Sequence, residues 1–238
     1  MEYKNKGYGA SLETSGERWE PPKKMITVNM IDKMGTDLSV VNAARVSYSK
    51  LKNRFEDKDE KLIAFLAKHN HWSPFAHASL QFRIKAPVFV ARQLVKHQIG
   101  LSWNEVSRRY VDTEPEFYEV DKWRGRAEDK KQGSSEDEIL WIDKSTRTDA
   151  LQSQVETIAL KNYNRMLEAG VAPEQARMIL PQSMMTEWWW TGSLYAFARI
   201  CNLRCAKDAQ YETRIVANLI NTECEKSFPK SWIELRKT

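Results

Sequence analysis

The stretch "ARQLVKHQIGLSWNEVSRRYVD" (91–112) concentrates side chains that could bind and polarise a ligand. Guanidinium groups pair with phosphate through a fork of donors, and Gln, Asn and Ser can form hydrogen bonds with a base or a sugar. The pattern therefore indicates an anionic ligand that carries a hydrogen-bonding ring. It is also typical of a solvated amphipathic helix followed by an exposed turn, and the residues alone leave that alternative open. The cationic and imidazole groups of the stretch are Arg92, Lys96, His97, Arg108 and Arg109.

A helix that begins at Pro87 is predicted to position the first half of this stretch, because proline favours the first helical position. With about 100° of rotation per residue, Arg92, Gln93, Lys96 and His97 fall on one arc of roughly 140°. The helix is predicted to stop at Gly100, so that the second half follows as a turn.

Hydrophobic periodicity predicts the elements that surround this helix. Strands are predicted over 25–31 and 78–86, the latter half-exposed because apolar and polar residues alternate. Together they predict a single-domain α+β fold, in which a small antiparallel or mixed sheet packs with several helices. Residues 1–24 are predicted as a loosely held arm before a domain of 25–238, and 113–138 as a charged, solvated excursion. Helices are predicted over 36–48, 59–69, about 139–168, 174–180, 193–204 and 208–227, the last ending before Pro229.

Composition narrows the class of protein. The chain has 238 residues, of which 42% are hydrophobic and 29% charged, as is common for a globular protein with one sizeable core. No apolar run approaches the roughly 20 residues of a membrane span, and the polar start is no signal peptide, so a cytoplasmic protein without membrane association is expected. The net charge of +5 favours anionic partners such as nucleotides or nucleic acid.

Three cysteines cannot all pair, and Cys201 and Cys205 lie one helical turn apart, so reduced and buried thiols are predicted. The cluster of His69, His71 and His77 raises the possibility of a metal site. Because no cysteine or carboxylate cluster accompanies these histidines, no metal is predicted.

The aromatic run "EWWWTG" (187–192) could stack bases, but buried packing or a subunit interface is the favoured interpretation. A basic, tryptophan-rich chain could also be a nucleic-acid-binding module. The cations, however, lie in compact blocks of mixed polarity and form no continuous stripe. No stable nucleic-acid partner is therefore predicted.

The frame "RQLVKHQIGLSWNEVSRRY" (92–110) resembles the signature of the flavin-dependent thymidylate synthases, whose core reads Arg-His-Arg, a spacer and Ser. Four further blocks are similar to blocks of that family and occur in the same order. The blocks span about three quarters of the chain, and they override the solvated-helix interpretation. They are "VVNAARVSY" (40–48), "HWSPFAHASLQFRIKAPVFVARQ" (71–93), "PEQARMILP" (173–181) and "NLRCAKDAQYE" (202–212).

The resemblance implies an α+β homotetramer whose active sites are built where subunits meet. It implies transfer of a one-carbon unit from methylenetetrahydrofolate to C5 of dUMP, or of a related pyrimidine nucleotide, with dTMP as the product from dUMP. FAD would be the redox carrier and NADPH its reductant.

The resemblance also implies the site residues. Arg204 matches the catalytic arginine that favours the N3-ionised uracil. The positions that match dUMP-binding residues are Gln93, Leu94, Val95, Lys96, Glu105, Val106, Ser107, Arg108, Arg109, Arg177 and Arg204. The positions that match FAD-binding residues are Ser73, Lys96, His97, Gln98, Glu105, Ser193, Tyr195 and Arg199.

The chemistry is consistent with a catalytic arginine. C5 of uracil is a poor nucleophile, and a guanidinium that stabilises negative charge on the ring would polarise it. The other class of thymidylate synthase adds a cysteine thiolate to C6, usually from a Pro-Cys context, and this chain has no such context. The cysteines are therefore predicted to be packing residues.

The chain departs from the family pattern at several positions. Its triplet is Lys96-His97-Gln98, in which Lys loses the bidentate fork of Arg and Gln loses the charge. Ser193, Leu194 and Tyr195 stand where the family often has Asn-x-Arg. Arg199 stands in place of an Asn, and Asp208 in place of a His. These departures leave open a pyrimidine nucleotide hydroxymethylase of the same family, acting on dUMP or dCMP.

Overall fold

A four-stranded antiparallel sheet forms the centre of the molecule. The computed structural model describes residues 25–111, 113–128 and 133–237, so the predicted arm over 1–24 lies outside the described residues. The strand order is β1-β2-β6-β3. The predicted α+β class is confirmed, and the sheet is antiparallel throughout. The strands are β1 Thr27–Met34, β2 Ser79–Pro87, β3 Leu101–Glu105 and β6 Met185–Ser193.

The alternation predicted for β2 builds one face of the core. Leu80, Phe82 and Ile84 are buried, whereas Arg83 on the opposite face pairs with Glu187 at 2.7 Å. The tryptophan run of β6 alternates in the same way: Trp188 and Trp190 are buried, and Trp189 on the other face is 40% exposed. Buried aromatic packing is thus confirmed for two of the three tryptophans. The strand itself was missed, because three consecutive aromatic residues hide the period of two.

Helices cover the buried face of the sheet. Phe197 of α7 meets Phe82 and Trp190 edge to face, with ring centroids 5.0 Å and 5.5 Å apart. The final helix was missed, since Pro229 ends one helix and also begins the next. The helices are α1 Asp37–Arg45, α2 Asp57–Lys68, α3 Ser73–Ala76, α4 Val88–Leu94, α5 Thr148–Glu168, α6 Pro173–Ala176, α7 Leu194–Arg204, α8 Tyr211–Ser227 and α9 Pro229–Arg236; 3₁₀ turns cover Val46–Tyr48 and Arg177–Ile179.

The helix α5 begins at Thr148, and the prediction that it starts near 139 was wrong. The side chain of Asp143 accepts hydrogen bonds from the backbone N–H groups of Ser145 and Thr146, at 2.8 and 2.9 Å. This turn chemistry competes with a helical backbone and delays the helix start.

The helix α4 is shorter than predicted, and the single arc of four ligand-facing residues was wrong. Pro87 is the N-cap and the last residue of β2, and the helix ends at Leu94, before Lys96 and His97. The chain then turns at Gly100, whose φ of +75° lies in the left-handed region that glycine tolerates best. Leu101 pairs with Gly192 directly afterwards. The pairing of β3 with β6 therefore ends α4 at Leu94, although the sequence pattern alone would continue the helix to Gly100.

The segment 113–138, which its charge predicts to be a solvated excursion, is structured where it is described, and most of its described residues are exposed. It contains β4 Arg124–Arg126 and β5 Ser134–Glu138, which pair antiparallel. The backbone N–H of Tyr118 donates to Ser183 O at 2.8 Å, which ties the segment to the residues that precede β6. Tyr118 is 5% exposed as a result.

Candidate functional site

Arg204 and His97 form a direct contact between two predicted site residues. Arg204 is the last residue of α7, and its Nε donates to Nε2 of His97 at 3.1 Å. Because a guanidinium only donates, Nε2 must accept and the imidazole must be neutral. Burial, with the charges of Arg204 and Arg199, lowers the pKa of His97, which favours the same neutral form. His97 therefore orients the guanidinium without neutralising its charge.

A cavity of 550 Å³ opens beside Arg204, and Gln93 lies on its wall. The Oγ1 of Thr213 donates to Oε1 of Gln93 at 2.5 Å, and Thr213 is fully buried. Arg204 and Gln93 thus meet at one cavity although they lie far apart in the sequence. The Thr213 side chain of α8 holds Gln93 in place there.

Several further residues that line the cavity were not predicted from the sequence. Arg124 of β4 pairs with Glu212 of α8 at 2.5 Å, and its guanidinium lies 4.3 Å from the centre of the Tyr211 ring. Glu212 is 5% exposed. Tyr211 and Glu212 close the block 202–212, so the resemblance could have pointed to them. Arg124 had no such signal, because nothing in a charged segment distinguishes one arginine from its neighbours.

Three of the residues predicted to bind flavin lie at the N-cap and in the first two turns of α7, namely Ser193, Tyr195 and Arg199. Ser193 is the N-cap, where its Oγ accepts a hydrogen bond from Ala196 N at 3.2 Å. Tyr195 and Arg199 line a second cavity, of 310 Å³, to which Trp72 contributes. The Tyr195 hydroxyl donates to Asn70 Oδ1 at 2.9 Å, and its ring lies 6.2 Å from that of Trp72. Aromatic rings beside a cation form a plausible surface for a planar ring system with phosphates.

The remaining predicted flavin positions are solvent-accessible. Ser73 is the first residue of α3, and its side chain is exposed. Lys96 and Gln98 are exposed in the turn that follows α4.

A third group of predicted residues lies where β3 ends. The carboxylate of Glu105 accepts hydrogen bonds from Thr186 Oγ1 at 2.8 Å and from Trp103 Nε1 at 3.3 Å. Ser107 Oγ accepts from Arg109 Nε at 3.2 Å. Leu101, at the start of β3, pairs with Gly192 near the end of β6, where α7 begins. Glu105, at the other end of β3, pairs with Trp188. Four residue steps along the strand separate Leu101 from Glu105, or about 13 Å.

The other predicted substrate positions differ in accessibility. Leu94 is fully buried in the core, so its side chain does not face a ligand, and Val95 is the C-cap of α4. Val106 is 43% exposed. Arg108 donates to the backbone carbonyl of Thr113. Arg177 is exposed, and its Nε donates to Glu174 O at 3.4 Å.

The predicted site residues therefore form separate groups in one chain. Within the part of the chain that the structure describes, no hydrogen bond or ion pair joins Arg177, or the segment 105–109, to Gln93 or Arg204. A single chain brings together Gln93, His97 and Arg204 but not the complete predicted set.

Among the residues that the structure describes there is neither a metal site nor a membrane-spanning helix. Across the described residues, no group of three or more His, Cys, Asp or Glu side chains is arranged to hold a metal ion. His69 contacts the ring of Phe65 at 4.4 Å and lies 6.5 Å from His71. The absence of a metal stays a prediction. None of the described helices is long and apolar enough to cross a membrane.

Two of the three cysteines, Cys201 and Cys224, are buried in the core, and none of the three forms a disulfide. Burial raises the pKa of the Cys201 and Cys224 thiols, which keeps both protonated. A hydrogen bond with Cys201 lowers the pKa of Cys205, which is partly buried. The Sγ of Cys201 donates to Ala217 O at 3.5 Å.

Replacing all three cysteines with Ala or Ser should leave turnover within about tenfold, because only some core packing would be lost and we expect no thiolate to take part in the reaction. Steady-state assays of the folded triple variant would measure this. A folded Cys205→Ala protein without activity would instead indicate a covalent route through that thiol.

Comparisons with known proteins find similar sequences over most of the chain. The family model described as "Thymidylate synthase complementing protein" matches residues 29–230. A flavin-dependent thymidylate synthase of Thermosipho africanus is 39% identical over 207 residues, which cover 84% of this chain and 88% of that protein. One from Thermus thermophilus is 39% identical over 205 residues, covering 86% and 73%.

A solved structure supports the fold as well as the family. The UMP/dUMP methylase PolB from Streptomyces cacaoi, bound with 5-Br dUMP, superposes with a TM-score of 0.75 at 29% identity, over 89% of this chain and 95% of that chain. The fold, the ordered blocks and these similarities lead to one conclusion: the chain belongs to the family of the flavin-dependent thymidylate synthases.

Proposed function

We propose that this protein transfers a one-carbon unit from methylenetetrahydrofolate to C5 of dUMP, giving dTMP, with FAD as the redox carrier and NADPH as the reductant. The observation that carries the proposal is the Arg204 guanidinium, held by a neutral imidazole at a cavity that Gln93 also lines. The relatives named flavin-dependent thymidylate synthases and the methylase bound with 5-Br dUMP support the same chemistry.

The proposed roles follow from charge. Arg204 stabilises negative charge that develops on the uracil ring as C5 attacks, because its guanidinium stays protonated and pairs with no carboxylate among the described residues. Gln93 donates to the ring, and Arg177 pairs with the phosphate. In one chain the Glu105 carboxylate is occupied by donors from Thr186 and Trp103, so we assign it to the shape of the site and not to proton transfer.

The residues around the 310 Å³ cavity fit FAD. Tyr195 and Trp72 offer aromatic surface, and Arg199 and Lys68 offer positive charge for phosphates. Arg199 would compensate for the positive charge that Gln98 lacks relative to the family triplet. Once NADPH has reduced it, the bound flavin would supply the hydride that completes the methyl group.

We further propose that the active site is completed by other copies of the chain, in a homotetramer. The separation of Arg177 and the 105–109 segment from Arg204 supports this arrangement. An exposed apolar stripe on α5 offers a surface for association. Its residues are Leu151 (40% exposed), Val155 (48%) and Ile158 (52%), spaced at one helical face.

The reaction is tested by incubating the protein with methylenetetrahydrofolate, FAD, NADPH and one nucleotide at a time, and identifying the product by mass spectrometry. We expect dTMP from dUMP. A hydroxymethyl product, from dUMP or from dCMP, would show that the hydroxymethylase alternative is correct. Unmodified nucleotide under all conditions, in a folded protein that binds flavin, would overturn the proposal.

The assembly and the cofactor are tested together by purifying the protein and saturating it with FAD. We expect a yellow protein whose mass in solution is about four times the 27.7 kDa of the chain. Light scattering and the visible spectrum measure both properties. A colourless monomer after saturation would contradict the predicted cofactor and the predicted assembly.

A further inference from the structure

The amide of Gln93 has a defined orientation at the cavity beside Arg204. Thr213 Oγ1 donates to Oε1 of Gln93 at 2.5 Å, and Thr213 is fully buried on α8. The hydroxyl thereby occupies the acceptor atom of the amide. Nε2, the donor atom, has no hydrogen-bond partner among the residues that the structure describes, so it is available to a ligand.

The other polar groups at this cavity also favour an acceptor on the ligand. Arg204 uses Nε on His97, which leaves its remaining N–H groups as donors. Glu212 is the carboxylate at the wall, and Arg124 pairs with it at 2.5 Å. The cavity therefore offers N–H donors on the side of Gln93 and Arg204, and its negative charge is neutralised.

Uracil and cytosine differ in the group at ring position 4. Uracil has a carbonyl oxygen there, which accepts, whereas cytosine has an amino group, which donates. An amide that is locked with its N–H₂ towards the ring can donate to the uracil carbonyl. The amino group of cytosine would instead face another donor. A freely rotating amide would turn its oxygen to either base and discriminate less.

We propose that Thr213 is a specificity-determining residue, which selects uracil over cytosine nucleotides by locking the amide of Gln93 with its donor towards the ring. The proposal rests on the proposed function, because it concerns the base of the nucleotide bound at this cavity. Thr213 acts through Gln93 and touches no reacting atom, so it is a positioning residue.

Removing the hydroxyl tests the proposal. Thr213→Val keeps the shape of the side chain but frees the amide, so the ratio of the dCMP to the dUMP dissociation constant should fall by about three- to tenfold, the value of one neutral hydrogen bond. Isothermal titration calorimetry of the full-length protein with dUMP and dCMP measures this ratio directly and does not depend on turnover.

Three further variants make the result specific. Thr213→Ser keeps the hydroxyl and should retain the wild-type ratio. Thr222→Val is the matched control on the same helix, because the Thr222 hydroxyl donates only to Asn218 O at 3.1 Å; this variant should also keep the ratio. Gln93→Glu replaces the donor with an acceptor on a partly exposed side chain, so it should lower the ratio further, and it tests the idea even if Thr213→Val does not fold.

The possible failures are distinct. An unchanged ratio in both Thr213→Val and Gln93→Glu, with dUMP still bound, would overturn this proposal and leave the proposed function intact. A folded wild-type protein that binds neither nucleotide would overturn the proposed function, and this proposal with it.

Discussion

Arg204→Ala should lower kcat for formation of the C5-modified nucleotide by about 10²–10³, the scale of losing one electrostatic donor at a developing charge. The structure places the guanidinium at the cavity with its Nε on neutral His97 and without a carboxylate partner among the described residues. An interaction that strengthens as the ring becomes negative affects turnover more than substrate binding. Single-turnover and steady-state assays with saturating dUMP measure the effect.

Arg177→Ala is the matched comparison, and it should chiefly raise KM for dUMP. This arginine is exposed, and the one hydrogen bond that it donates within the described structure goes to Glu174 O at 3.4 Å, so its guanidinium can pair with a phosphate. Phosphate pairing is present in the ground state and in the transition state alike, and its loss weakens binding uniformly. The two arginine variants should therefore fail in different kinetic parameters.

Reduction of bound flavin by NADPH serves as the control, because it does not involve the uracil ring and should survive in Arg204→Ala. If both arginines were only structural, both variants would lose stability and keep their kinetics. A folded Arg204→Ala protein with nearly wild-type kcat would remove Arg204 from the mechanism.

Trp190→Ala should cost about 3–5 kcal/mol of the free energy of unfolding, the range for deleting a buried aromatic side chain. Trp190 is fully buried in β6, 5.3 Å from the ring of Trp103 and 5.5 Å from that of Phe197. Its loss would leave a cavity between the sheet and α7, the helix that ends at Arg204. Denaturant titration at fixed protein concentration measures the change.

Trp190→Phe is the control for this prediction, and it should cost less than half as much. The Nε1 of Trp190 is buried without a hydrogen-bond partner in the described structure, so replacing the indole removes an unsatisfied donor worth about 1–3 kcal/mol. Phenylalanine also keeps most of the ring contacts. Equal losses in the two variants would show that the ring contacts do not hold β6 and α7 together.

The sequence by itself determined the fold class, the family and the elements with a clear hydrophobic period. The alternation of 78–86 placed Leu80, Phe82 and Ile84 in the core, and the period of 59–69 and 193–204 predicted α2 and α7 nearly to the residue. These signals are local, because the hydrophobic period of one element marks its buried face without any information about the element that packs against it. The resemblance also identified His97 and Arg204 from local information, because each is a residue type at a fixed place in a short motif.

Only the tertiary structure decided which of those residues meet. The pairing of β3 with β6 ends α4 at Leu94, and that turn carries His97 to Arg204, 107 positions along the chain. Thr213 and Arg124 join the cavity through contacts with Gln93 and Glu212 that leave no period in the sequence. Long-range pairing depends on partners that are distant along the chain, so a local pattern cannot specify it. For the same reason, the sequence could not show that Arg177 lies apart from Arg204 within one chain, although both arginines belong to one predicted site.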